Sequence, residues 1–321
     1  MSFDAMPPPR APVDPLTTGA VVLAVAAVSS SAPLIASAAA SALAVAFWRN
    51  ILAVGVLGPF ALARRRAEFR ALTQGAGRRE ARYCVLAGLA LAVHFAAWMP
   101  STQLTSVAAA TALVVTQPVW QGLIALGQGR RLPAVAWIGI GVSVLGAVWA
   151  IGADFGVSGR AVAGDLLAIG GGVAAAVYTA LGERARTTTS TLTYTTICYG
   201  VCALLLLAVC LVGGVRLTGF DAPTWLAVLG LVAGAQLLGH SMLNYALRRI
   251  SATTISVLLL IEAPGAALIA WAWLGQAPRP AALPGLALLL AGVAIVVRGE
   301  SRGTRRTEPV PAPPDAGPLP S

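Results

Sequence analysis

ATALVVTQPVWQGLIALGQGRRLPAVAWIGIGVSVLGAVWA, residues 110–150, and TISVLLLIEAPGAALIAWAWLGQAPRPAALPGLALLLAGVAI, residues 254–295, are two versions of one segment. A shift of 146 residues lays Pro118 on Pro264, Gly129 on Gly275, Gly139 on Gly285 and Gly146 on Gly292 without a gap. Carried toward the N-terminus, the same shift pairs Gly88 with Gly234, Leu91 with Leu237 and His94 with His240. A shift of 145 brings Gly19 onto Gly164, so the repeat reaches the first helix of each half. Self-similarity at a fixed spacing marks a duplicated architecture.

The surrounding composition says what is duplicated. Of 321 residues, 57% are hydrophobic and 11% charged, where a soluble domain has about 25% charged residues. A mean hydropathy of +0.79 over this length is more apolar material than one water-soluble core can hold. A membrane helix needs about 20 mostly apolar residues, and the uncharged gaps, read with turn and breaker signals, predict ten. They lie near 17–37, 42–63, 81–101, 105–127, 134–153, 162–182, 192–214, 224–246, 252–274 and 281–298. These runs are too long for the strands of an outer-membrane barrel, which span about 10 residues. The expectation is therefore an all-α, polytopic membrane protein: a cytoplasmic tail at 1–17, five helices within 18–153, five more within 162–298, and a Pro-rich, disordered cytoplasmic tail at 299–321. The first 17 residues do not read as a secretory signal.

All 22 basic residues are arginines, and the formal charge is +10. Arginine-rich short loops stay cytoplasmic. With both termini inside, 18 of the 22 fall on inner segments, leaving Arg49, Arg160, Arg216 and Arg279 elsewhere. The charge thus reads as an orientation signal for a multi-pass protein of the bacterial cytoplasmic membrane. The expected partners are the lipid bilayer and a small-molecule substrate, not nucleic acid. Five helices per half is an odd number, so the halves lie inverted. That arrangement belongs to secondary transporters, whose substrate site sits at mid-membrane between the repeats.

The two opening segments, together with GDLLAIGGGVAAAVYTAL at 164–181, resemble the fourth and fifth, ninth and tenth, and sixth helices of the EamA branch of the drug/metabolite transporters. The resemblance covers about residues 18–298. It implies two EamA repeats of five helices, export of amino acids or other small metabolites, and a cavity lined by helices one, three, four, six, eight and nine. Where members often carry Trp-Gly in the first helix and Leu-Gly-Glu ending the fourth and ninth, this chain has Val28, Ser29 and Ser30, and Arg130 and Gln276 at the Glu positions.

Few ionisable residues lie inside the predicted spans. His94 and His240, the only two histidines, are repeat equivalents expected at mirrored depths. Each is either an interhelix hydrogen-bonding group or a pathway group that binds substrate or relays protons. Glu262 lies two residues before Pro264 near the middle of helix nine; it is a coupling acid, an acceptor for a substrate ammonium, or a structural acid. Its repeat partner is Thr116. Arg49 either snorkels to the outer surface or meets a substrate carboxylate. Trp98 and Asn244, one turn beyond the histidines, share their faces. Ser30, within Ser29–Ser31, is a further cavity candidate with interhelix hydrogen bonding as its alternative. Pro118 and Pro264 interrupt the backbone ladder and are paired hinge candidates or static bends.

Other classes of function find less support. No GxxxxGK[ST] loop is present for ATP, and the four cysteines, Cys84, Cys198, Cys202 and Cys210, have no zinc-site spacing. No cofactor or metal is expected, nor a catalytic triad, so the chain is not expected to be an enzyme. Helix one has no acid, which argues against a hydrophobic dication or quaternary amine as the principal substrate. The expected function is export of a small polar metabolite by alternating access with protons as the driving ion; import or facilitation of such a solute, a membrane enzyme and a non-transporting scaffold stand as the alternatives.

Overall fold

In the computed structural model, the described residues are 14–305 except 76, 131, 153–158, 276 and 278–279. Most of both expected tails therefore lies outside the described residues, as do Arg131, Gln276 and Arg279. Among the described residues every regular element is helical. Eight helices among the described residues are long and apolar enough to cross a membrane: α1 Pro15–Ser37, α2 Ala42–Arg64, α3 Gly77–Leu104, α4 Val107–Gly127, α6 Gly159–Ala185, α7 Thr191–Val212, α8 Ala222–Ala246 and α9 Ala252–Leu274. The helices α5, Ala134–Gly152, and α10, Leu283–Arg305, contribute the shorter apolar stretches Ala134–Gly146 and Leu283–Val296. The last helix runs past the expected boundary at 298.

Local chemistry sets the helix ends. Asp14, Ser106, Ser190, Asp221 and Ser251 each cap a helix by accepting a backbone N–H three residues on, filling donors that the first turn leaves open. The repeat equivalents Gly129 and Gly275 follow α4 and α9 with φ of +76° and +68°, a conformation that glycine adopts without steric cost.

The pairing of helices is unchanged when the halves are exchanged. Helix α1 packs on α8 as α3 packs on α6, while α2 packs on α7, α4 on α9 and α5 on α10. Corresponding helices are antiparallel. The first part of α4 meets the last part of α9, and the reverse. Along α5 and α10, Gly139 lies against Gly292 and Gly146 against Gly285. The Ser143 hydroxyl donates to the Leu289 carbonyl at 3.2 Å. Those two residues are 146 apart, so the bond joins a position to its own repeat equivalent across the pseudo-two-fold axis.

This crossing depends on absent side chains. A Cβ on Gly292 would sit 2.5 Å from the Gly139 carbonyl oxygen, and one on Gly146 would sit 2.4 Å from the Leu289 nitrogen. Small residues let membrane helices approach this closely. Gly292→Leu is expected to destabilise the fold by about 1–3 kcal/mol through overpacking, read as a lower unfolding midpoint in mixed micelles. An unchanged midpoint would mean that α10 does not need this approach.

Candidate functional site

Both central helices of the repeats are broken at the same place. Helix α4 divides into Val107–Val114 and Gln117–Gly127. Helix α9 divides into Ala252–Leu258, a 3-10 turn at Leu259–Ile261, and Glu262–Leu274. A shift of 146 carries the interruption at Val115–Thr116 onto Ile261–Glu262. The prolines supply the cause: Pro118 and Pro264 lack the N–H that would close the turn onto residues 114 and 260. Gly172 of α6 then approaches the Val114 carbonyl so closely that a Cβ would stand 2.8 Å from its oxygen.

Beside these breaks is a cavity containing about 660 Å³ of space unfilled by protein atoms, part of it open to the outside. Its polar wall is formed by Ser31, His94, Gln117, Tyr178, Thr179, His240, Asn244 and Glu262, with Trp98 and several aliphatic residues completing it. The lining comes from α1, α3, α4, α6, α8 and α9. It reaches Leu247 and Ile255, on either side of the Arg248–Arg249 loop, so the cavity is displaced toward that end of the bundle.

The two imidazoles meet there. Their ring centroids are 6.5 Å apart, and the His94 ring stacks on Trp98 at 5.6 Å with an interplanar angle of 8°. Because the histidines are repeat equivalents, they bracket the pseudo-two-fold axis inside the cavity. His94 Nδ1 lies 2.9 Å from the Gly171 carbonyl oxygen, where it donates, so the neutral ring has Nε2 as its acceptor. His240 meets Phe95 edge-on at 5.5 Å and Tyr178 at 6.0 Å. The Tyr178 hydroxyl donates to Asn244 Oδ1 at 2.8 Å, and Gln117 Nε2 donates to Thr179 Oγ1 at 3.0 Å.

Arg49 corrects the reading in which it snorkels outward. Its side chain is fully buried, held over the Phe95 ring at 4.3 Å. Nε donates to Gln236 Oε1 at 2.8 Å and Nη1 to Ser31 Oγ at 3.3 Å. Gln236 in turn donates to Asn50 Oδ1 at 3.1 Å. The guanidinium stands behind the cavity wall, one residue removed from the space itself: Ser31, to which it donates, lines the cavity. Interior polar partners are what an intramembrane charge requires. Gln236 and His240 both belong to a π-helical stretch of α8, Val232–His240, a local irregularity that often accompanies function.

Ser30 is turned away. Its hydroxyl donates to the Ala27 carbonyl of its own helix at 2.7 Å, whereas Ser31, about 100° further round, lines the cavity. Gln117, Tyr178, Thr179 and Gln236 were not singled out by sequence reasoning. All are neutral polar residues inside apolar runs, a signal that a search for ionisable groups passes over. Among the described residues no group of three His, Cys, Asp or Glu is placed to hold a metal, and the four cysteines are buried with free thiols.

The description "EamA-like transporter family" belongs to the family model that matches residues 17–152 and, a second time, 162–298. A relative from Streptantibioticus cattleyicolor named "Probable terminal-alkyne amino-acid exporter" is 34% identical over 118 residues, 36% of this chain; the match spans 39% of that relative's length. A protein known from its crystal structure has the same fold, with a TM-score of 0.70 at 22% identity, over 90% of this chain and 99% of that one.

Proposed function

The chain belongs to the EamA-like transporter family, and from that premise we propose that it is a secondary transporter exporting small polar metabolites, amino acids among them, by alternating access coupled to protons. The observation that carries the reading is the central cavity, set at two equivalent helix breaks and crossed by the axis that relates the inverted halves. Discontinuous helices at the repeat interface are where secondary transporters place their sites. The amino-acid exporter with which the chain shares one aligned stretch supports the substrate class. Reading the chain as a transporter rather than an enzyme rests on the same family match.

In this mechanism the wall offers complementary groups to a zwitterion. Glu262 accepts from an ammonium, while Gln117, Asn244 and the histidines supply hydrogen bonds to the rest. The proline breaks in α4 and α9 act as paired hinges, and rocking of one half on the other moves access from one surface to the other. With both termini cytoplasmic, the cavity lies toward the cytoplasmic side, poised for loading.

The test is a comparison of metabolites inside and outside cells with and without the gene, followed by flux of the best candidate in proteoliposomes across a pH gradient. Selective retention of an amino acid in cells lacking the gene, with gradient-dependent flux in vesicles, is expected. Equal metabolite pools and no flux would sink the proposal. His94→Ala with His240→Ala is expected to lose flux; parental rates at every pH would confine the pair to a packing role.

A further inference from the structure

The seam between α4 and α6 has polar groups that the cavity does not use. Three contacts order the two helices: Gly172 lies on Val114, Thr179 on Gln117, and Glu183 on Arg130. Residue numbers rise together, so the helices run parallel here and descend from the cavity to the end that bears Arg130. Gln121 lies one turn below Gln117 on the same face of α4, and by this register it falls between the levels of Thr179 and Glu183. Its side chain is fully buried, yet neither Nε2 nor Oε1 has a protein partner. Arg130 Nε is likewise buried and unpartnered, although Nη1 and Nη2 of the same residue grip the two Glu183 carboxylate oxygens at 3.3 Å.

A buried amide with both ends unmet is strongly unfavourable, and buried polar groups of this kind are ordinarily met by ordered water. We propose that the α4–α6 seam holds a chain of water molecules, anchored on Gln117, Gln121 and Thr179, that carries protons between the cavity and the Glu183–Arg130 pair at the surface. Each hop breaks one O–H bond and forms the next, so a single proton moves and nothing is oxidised or reduced. The titratable groups along the route are His94, His240, Tyr178 and Glu262 at the cavity, and Glu183 and Arg130 at the far end. The seam passes water and protons while the solute uses the cavity, which separates the two paths. This inference rests on reading the cavity as a proton-coupled transport site.

Two measurements test it without any metabolite. In the first, Gln121→Cys protein is exposed to methanethiosulfonate ethylammonium, which reacts with hydrated, ionisable thiols. The native cysteines on α3 and α7 serve as buried standards, and reaction at least about tenfold faster than theirs is expected. In the second, voltage-driven proton uptake is followed in pyranine-loaded vesicles, the proposed rocking of the halves carrying the proton from the cavity to the opposite surface; the parent is expected to exceed protein-free vesicles, and Gln121→Leu to lose about tenfold, the effect of one missing hydrogen-bonding station. Labelling no faster than the native thiols overturns the wet seam. A parent that passes no protons, or a Gln121→Leu protein that equals it, overturns the proton path. A failure to find solute flux would count against the transport reading and leave the labelling result standing.

Discussion

Glu262→Gln protein is expected to insert and fold like the parent yet to lose gradient-driven accumulation. With one proton exchanged per solute, a gradient of one pH unit contributes about 1.4 kcal/mol, a factor of about ten in the accumulation ratio; the variant should bring that ratio to one. Glutamine preserves the shape and hydrogen-bonding capacity of the side chain but has no proton to exchange. Glu262 lies in the wall where the second part of α9 begins. In the proposed mechanism that position lets it meet the solute. The measurement is counterflow against gradient-driven uptake in the same vesicles. Counterflow should persist while accumulation disappears, and an accumulation ratio equal to the parent's would remove Glu262 as the coupling group.

The second large effect is expected at Arg49. Arg49→Met keeps much of the aliphatic volume but strips a buried guanidinium from Gln236 and Ser31. A hydrogen bond to a charged group contributes about 1.5–3 kcal/mol, and the loss also leaves the Gln236 amide oxygen without its donor. The unfolding midpoint in mixed micelles should fall accordingly, with transport abolished because the Ser31 portion of the wall loses its support. Combining Arg49→Met with Glu262→Gln should cost less than the sum of the single changes, since each removes the charge that the other was left with. Strict additivity would show that the two charges do not communicate; full stability of Arg49→Met would show that the network holds nothing.

Much of the architecture was legible in the sequence because duplication repeats its exceptions. Prolines and glycines are costly inside helices, so their recurrence at 146-residue spacing in Pro118 and Pro264, or Gly139 and Gly285, sets the register from the sequence alone. The meeting of His94 and His240 followed from that register in part: equivalent positions were evident, but their nearness to the axis depends on how α3 and α8 pack, which a linear pattern does not contain. Arg49 shows the limit most clearly. A lone charge in a span can reach for water or turn to interior partners, and the partner that decides, Gln236, is 187 residues away and uncharged. Ser30 and Ser31 differ by one step of helical rotation, below the resolution of a boundary set by breaker residues.

The near-symmetry of the backbone gives weight to the places where the halves disagree in chemistry, above all at the two breaks. Thr116 and Glu262 occupy equivalent sites at the two breaks, one a hydroxyl and the other an acid. In the proposed alternating-access cycle, halves identical throughout would make each end state the other's equivalent when exchanged, and the protein would idle evenly between them. Under that proposal the unmatched carboxyl is one of the differences that tilt the balance. Each 1.4 kcal/mol of tilt changes the ratio of the two resting populations about tenfold, so a single side chain can make the cycle behave as a rectifier, with its bias reset whenever the carboxyl gains or gives up a proton.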